Sequence, residues 1–146
     1  MNTLKTLPNT PAQACELAQK YTDQQIPIVS GECDHYVGFW YGLVATGEYS
    51  ALNHWEEIKS HAYPDPHAEE AKAAGNLVFY GYAGRQFGHA AMLTGKWLPG
   101  QGVRGIYSSD LPRVGRVGIV RIDQPTRSWE LPLLGITPPL FPEGVA

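Results

Sequence analysis

The hydrophobic period of the sequence changes near Asn76, and this change limits the possible folds more than any other feature. Before Asn76, apolar residues recur at the three- and four-residue spacing of helices. After it, they form short runs bounded by glycine, aspartate or proline, which is typical of strands. Short connections between consecutive strands favour antiparallel pairing. The pattern therefore predicts an α+β fold, with helices in the first half and an antiparallel sheet in the second.

The first helix has a clear start. Thr10 is a good N-cap, Pro11 suits the first helical position, and Gln13 completes a capping box with Thr10. These residues predict a helix over residues 11–23.

Three further helices are predicted, over residues 33–45, 53–60 and 66–74. The first of them is closed by Gly47 and the second is capped by Asn53. The strands that follow share short apolar runs, and they are predicted at residues 76–80, 88–93, 102–107, 116–122 and 133–136, with one helical turn near 124–129.

The size and charge of the chain set limits on its function. At 146 residues it fits a single domain, residues 1–146. The net charge is −3 and the 11 basic residues are scattered, so nucleic acid is not an expected partner. No apolar run reaches the ~20 residues of a membrane helix, so no membrane insertion is expected. Because no signal peptide is visible, we expect synthesis in the cytoplasm, or an export signal that has been removed or replaced.

Cys33 is the candidate nucleophile. With no visible secretion signal, Cys15 and Cys33 are expected to be free thiols. Cys33 falls in the first turn of a predicted helix whose apolar stripe continues through Val37, Trp40 and Val44. A helix N-terminus stabilises a thiolate, whereas Cys15 lies in the middle of a helix and is expected to be a small buried residue. Cys33 is therefore expected to be ionised at the helix end.

The charges around Cys33 also oppose its ionisation. Glu32 and Asp34 flank the cysteine, and like charges raise a thiol pKa. A nearby imidazolium is therefore expected to outweigh them.

His89 is the candidate base. It follows Gly88 and begins an apolar strand, which would hold an imidazole at the mouth of the core. Asp110 is expected at the end of the next strand. If the two strands pair through the loop at residues 95–102, Asp110 lies near His89 and can orient its ring. An ordinary strand histidine and a turn aspartate are the alternatives at these two positions.

Residues 31–42, with the sequence GECDHYVGFWYG, resemble the nucleophile helix of CHAP domains, the cysteine, histidine-dependent amidohydrolases/peptidases. These domains belong with the NlpC-type cell-wall peptidases. Residues 75–79 and 88–92 are similar to the family's glycine-aspartate and glycine-histidine strands, with Asn76 in place of the aspartate. Residues 107–138 are similar to the distal half of actinobacterial and phage lysins, in which the third catalytic position falls on Asp110.

This resemblance implies a papain-like (NlpC/CHAP-type) fold with N-terminal helices packed on an antiparallel sheet. It also implies a catalytic triad of Cys33, His89 and Asp110 that cuts an amide bond of peptidoglycan peptide through a thioester. The enzyme would be an endopeptidase or an N-acetylmuramoyl-L-alanine amidase. The backbone N–H of Cys33 would stabilise the oxyanion, and Tyr21, Gln24 and Gln25 remain candidates for the second donor.

The expected partner is the peptide of the cell wall, reached after release, secretion or phage-assisted export. Targeting to the wall would come from the groove itself, from a separate partner or from a fused region. No cofactor and no metal ion are expected.

Three alternatives remain open. His54, His61 and His67 with Asp65 could form a zinc site, although their spacing matches no standard motif. The chain could be a non-catalytic wall-binding or phage structural module. It could also be a papain-like acyltransferase or a toxin effector with another substrate.

Overall fold

The structure is a computed structural model that describes residues 3–44, 50–81 and 88–143. Within these residues, four α-helices and five strands form the predicted α+β fold. The helices are α1 (Pro11–Asp23), α2 (Cys33–Trp40), α3 (Ala51–Ile58) and α4 (Gln124–Trp129). The strands are β1 (Leu77–Tyr80), β2 (His89–Trp97), β3 (Arg104–Ser109), β4 (Val117–Arg121) and β5 (Leu133–Thr137). Two short 3₁₀ turns lie at Lys59–His61 and Glu69–Lys72.

The start of α1 is as predicted. The Thr10 hydroxyl accepts a hydrogen bond from the backbone N–H of Gln13 at 3.2 Å, and the Gln13 side chain accepts one from the backbone N–H of Thr10 at 2.9 Å. The capping box is therefore confirmed, and α1 covers the predicted residues.

Helix α2 begins at Cys33 as predicted, but it ends at Trp40 and not near residue 45. Gly42 has a φ of +90°, and its N–H bonds to the carbonyl of Phe39 while the N–H of Leu43 bonds to that of Gly38. These two bonds form a Schellman motif, which ends a helix at a glycine in the left-handed region. Val44 is consequently 90% exposed and does not join the buried stripe. The predicted closing residue, Gly47, lies outside the described residues.

Two other helix predictions need correction. Ser50, not Asn53, caps α3, because the Ser50 hydroxyl accepts a hydrogen bond from the N–H of Asn53. The helix predicted over residues 66–74 is reduced to the 3₁₀ turn at Glu69–Lys72. Nearby, the Asp65 carboxylate accepts a bond from the N–H of His67 at 2.9 Å. Such a local turn competes with the start of a helix.

The five strands form one sheet with the order β4-β3-β2-β1-β5, and every pair is antiparallel. This confirms the predicted antiparallel sheet. Strands β1 to β4 are joined in sequence, whereas the chain after β4 passes through α4 and returns to the other edge as β5.

Both faces of the sheet are covered. On the helix face, Phe79, Ala90 and Met92 pack with residues of α1, α2 and α3. On the opposite face a second cluster contains Val78, Tyr80, Ala91, Leu93, Ile106, Leu111, Val120 and Ile136. Within the described ranges, no helix is long and apolar enough to cross a membrane.

Candidate functional site

A cavity of about 530 Å³ opens at one end of the sheet, where both α2 and β2 begin. The three residues predicted as catalytic, Cys33, His89 and Asp110, all line it. Its other lining residues are Ser30, Gly31, Gly88, Val114, Trp129 and Leu131.

Cys33 approaches the sheet from the helix side. It is the first residue of α2, and only 7% of it is exposed. The backbone N–H of Ala90 donates to Cys33 Sγ at 3.5 Å. The sulfur is therefore held against the first residues of β2, at a helix end where backbone N–H groups have no intrahelical acceptor.

His89 is held by a serine on the adjacent strand. Its Nε2 lies 2.8 Å from Ser108 Oγ, and the Ser108 hydroxyl also donates to the carbonyl of Ser109 at 3.1 Å. A hydroxyl has one proton to donate, and when Ser108 gives it to the Ser109 carbonyl, Ser108 Oγ accepts from His89 and Nε2 carries the hydrogen. The neutral ring then has an unshared electron pair on Nδ1, which makes no hydrogen bond to any residue that the structure describes.

Trp129 covers the imidazole. The rings of Trp129 and His89 are 4.9 Å apart at 71°, in an edge-to-face contact. Only 4% of His89 is exposed. The base is thus largely shielded from bulk water by a side chain of α4.

The thiol and the imidazole share the cavity without a direct bond between them. Tyr80 pairs with His89 across the sheet, their rings are 6.0 Å apart, and Tyr80 belongs to the cluster opposite the helices. The His89 ring therefore leaves β2 on the face away from α2, and the sulfur meets the strand from the other face. Among the described contacts, no hydrogen bond joins Cys33 to His89. What they share is the cavity that both residues line.

Asp110, which was predicted to orient His89, makes no hydrogen bond to it among the described contacts. Continuing the register of Met92 with Tyr107 would place Asp110 directly opposite His89, so the predicted proximity is sound. However, β3 ends at Ser109, and Asp110 has a φ of +64°. This conformation turns its carboxylate toward other partners, and Ser108, the diagonal neighbour of His89 in this register, takes the orienting position.

The Asp110 carboxylate instead joins two loops. It accepts hydrogen bonds from the Ser30 hydroxyl at 3.2 Å and from the N–H groups of Gly31 and Gly115 at 3.0 and 2.8 Å. It thereby fixes the loop just before the nucleophile helix to the turn between β3 and β4.

Ser108 was not identified from the sequence, because its sequence context resembles that of any strand serine. Only the cross-strand register identifies it.

Burial favours the neutral forms of both Cys33 and His89. Burial raises the pKa of Cys33 to about 12, with the charges of Asp34 and Asp110 adding to the effect and the Ala90 N–H opposing it. Burial also lowers the pKa of His89 to about 4, although Asp110 opposes that decrease. The predicted thiolate at the helix end is therefore corrected to a neutral thiol beside a neutral imidazole, because desolvation outweighs the helix N-terminus.

The side chains proposed as second oxyanion donors lie elsewhere. Gln25 donates to the carbonyl of Thr22 at 2.8 Å, and Tyr21 packs against Tyr36, Phe39 and Trp40. Neither they nor Gln24 line the cavity.

The second thiol differs from the first. Both cysteines are free, as predicted. Cys15 is partly buried in α1 with Sγ 3.7 Å from the carbonyl of Leu93, and burial raises its pKa to about 11. It does not line the cavity and serves as an internal reference for Cys33.

The zinc alternative has no cluster to support it. In the part of the chain that the structure describes, no group of three or more histidine, cysteine, aspartate or glutamate side chains is arranged to hold a metal ion. His54 instead lies buried against Asp34.

Comparisons with known proteins give no match: no family model, no curated protein and no solved structure is significantly similar to this chain.

Proposed function

We propose that the protein is a papain-like cysteine hydrolase that cuts an amide bond, with Cys33 as nucleophile and His89 as base. The observation that carries the proposal is the Nδ1 atom of His89. Ser108 holds the ring through Nε2, which leaves Nδ1 as the basic nitrogen of a residue that lines the same cavity as a thiol at a helix N-terminus. These are the groups that an acyl-transfer site requires.

In the proposed reaction, Nδ1 takes the proton of Cys33 as the sulfur attacks the amide carbonyl. The negative oxygen that forms is stabilised by the backbone N–H groups at the start of α2. Nδ1–H then gives its proton to the leaving amine, and a thioester remains on Cys33. Water, deprotonated by Nδ1, attacks the thioester, releases a carboxylic acid and restores the thiol.

The neutral resting state fits this order of events. Neither the thiol nor the imidazole needs a charge before substrate binds, because the proton moves during the attack. Catalytic hydrogen bonds are often long in the free enzyme and tighten once substrate binds. We therefore expect the thiol and the imidazole to approach each other in the complex.

For the substrate we propose the peptide of bacterial peptidoglycan. The support is the resemblance of residues 31–42, 75–79, 88–92 and 107–138 to CHAP and NlpC-type domains, together with the lining of the cavity. Val114, Trp129 and Leu131 supply apolar walls that suit small uncharged residues such as alanine. Action at the wall would follow release, secretion or phage-assisted export, with targeting supplied by a partner or a fused region.

Digestion of purified peptidoglycan tests this proposal. The muropeptides are separated and weighed by mass spectrometry after incubation with the parent protein, Cys33→Ala or Cys15→Ala. We expect one defined amide cut by the parent and by Cys15→Ala, and a rate at least about 10⁴-fold lower for Cys33→Ala.

Two other results would support an alternative function. An intact wall together with an acylated or cleaved protein target would indicate a transferase or a toxin effector. An intact wall that binds parent and Cys33→Ala protein equally would indicate a non-catalytic module.

A further inference from the structure

Asp34 and His54 form a buried pair next to Cys33, and the proposed reaction does not use this pair. Asp34 follows Cys33 in the first turn of α2 and is only 5% exposed. Its Oδ1 lies 2.7 Å from His54 Nδ1, while its Oδ2 is buried without a hydrogen-bond partner among the described residues. A buried carboxylate in this position needs a compensating charge or proton.

His54 supplies that compensation. It is fully buried, and its Nε2 lies 2.6 Å from the carbonyl oxygen of Leu140. Its ring packs against Phe79 and Phe141, with centroids 5.0 and 4.8 Å away. A carbonyl oxygen only accepts hydrogen bonds, so Nε2 carries a hydrogen. One further proton is then shared between Nδ1 and Asp34 Oδ1, and the pair has no net charge.

The net charge of this pair matters because of what faces the sulfur. Asp34 lies next to Cys33 on the same helix, and His89 and Asp110 line the same cavity as Cys33. The negative charges of Asp34 and Asp110 both oppose ionisation of the thiol. Asp110 is compensated by three hydrogen-bond donors, whereas Asp34 depends on His54.

We propose that His54 is a positioning residue for the reaction, which cancels the charge of Asp34 and so makes proton loss from Cys33 easier. The inference rests on the proposed role of Cys33 as nucleophile. His54 also joins α3 and the C-terminal segment to the first turn of α2, through its bonds to Asp34 and Leu140. It touches no substrate and acts only through Asp34.

The test is the rate at which iodoacetamide alkylates Cys33 at about pH 8, measured by peptide mass spectrometry with Cys15 in the same molecule as reference. The variants are His54→Asn, Asp34→Asn and the double variant. The asparagine amide in His54→Asn can still donate to Asp34 but brings no titratable proton. In Asp34→Asn the carboxylate charge is removed at nearly constant shape.

Only one of the two single variants is expected to change the rate. His54→Asn lowers the alkylation rate of Cys33 on the order of tenfold, because it leaves the Asp34 charge uncompensated and a pKa change of one unit is tenfold in thiolate. Asp34→Asn stays within about twofold of the parent rate, because the carboxylate is lost together with the proton that compensates it. In the Asp34→Asn background, the His54→Asn change has no further effect on alkylation. A purely structural role of His54 predicts the same loss in both backgrounds.

The inference is overturned if His54→Asn does not lower the rate, or if it lowers the rate equally with and without the carboxylate. If His54→Asn does not fold, His54→Gln, whose amide also donates without titrating, takes its place in both backgrounds. Hydrolysis of peptidoglycan is measured separately. If alkylation follows the expected pattern while the wall stays intact, the proposed function fails and the inference about the pair stands.

Discussion

His54 and His89 are both buried imidazoles, yet their surroundings fit them for opposite tasks. His54 has an acceptor at each nitrogen, 2.7 and 2.6 Å away, and is enclosed by Phe79 and Phe141. Among the described residues, Ser108 is the one hydrogen-bond partner of His89, at Nε2, and His89 lines the cavity. Burial alone therefore says little about function. What distinguishes a base from a structural histidine is a nitrogen that a reactant can reach.

The largest effect is expected from His89, whose substitution should slow catalysis. His89→Ala should lower the rate of peptidoglycan hydrolysis about 10²–10⁴-fold, because it removes the general base. His61→Ala, at an exposed histidine, is the matched control and should keep the parent rate. Muropeptide release is the measurement. A parent-like rate for His89→Ala would remove His89 from the mechanism.

The second difference is in stability. His54→Ala should lower the free energy of unfolding by about 3–5 kcal/mol, because it leaves the buried carboxylate of Asp34 unpaired. His89→Ala should cost about 1–2 kcal/mol, since it removes one hydrogen bond to a neutral partner. Urea denaturation followed by circular dichroism compares the two variants. Equal losses would contradict the contrast drawn between the two sites.

More of the fold than of the candidate site could be predicted from the sequence. The capping box at Thr10 and the change of period at Asn76 depend on local rules, and both predicted the observed elements. The predicted end of α2 was wrong, because Gly42 and Gly47 can each end a helix. The close approach of Pro8, 2.8 Å from a Cβ built on Gly42, is a tertiary contact that no local pattern reveals.

The site shows the same limit. Cys33 and His89 were identified from their places at the starts of a helix and a strand, and both line the cavity. Ser108 and His54 were not identified as partners, because one depends on strand register and the other on the packing of α3 against α2. The charge state of Cys33 was also predicted wrongly, since the depth of burial is not written in the sequence.

The pH dependence of stability should distinguish His89 further. Its pKa is about 4 in the folded protein and near 6.5 when unfolded, so between these values the unfolded chain binds more protons. Stability contributed by the neutral ring is complete above pH 6.5 and is lost as the pH falls toward 4. At about 1.4 kcal/mol per pH unit, the loss reaches about 3 kcal/mol.

His89→Gln is the variant that isolates this effect, because glutamine does not titrate. Urea midpoints of the parent protein and His89→Gln should converge or cross as the pH is lowered from 7 to 4. If both proteins lose stability in parallel over that range, His89 does not have the lowered pKa.

A smaller effect is expected for the residue that orients the base. Ser108→Ala should reduce kcat about tenfold with little change in KM, because the ring is no longer held through Nε2. Ser109→Ala is the matched control, since the Ser109 hydroxyl has no hydrogen-bond partner in the described part of the chain. A parent-like Ser108→Ala combined with a tenfold loss in Asp110→Asn would return the orienting role to Asp110.

The protonation state of His89 is the most direct test of its proposed role as a base that acts through Nδ1. Nitrogen NMR of protein labelled with ¹⁵N-histidine at pH 7 distinguishes Nε2–H, Nδ1–H and imidazolium forms, and the signals missing in His89→Gln identify this residue. We expect a neutral ring with its hydrogen on Nε2 and a bare Nδ1. An imidazolium, or a neutral ring with its hydrogen on Nδ1, would contradict it.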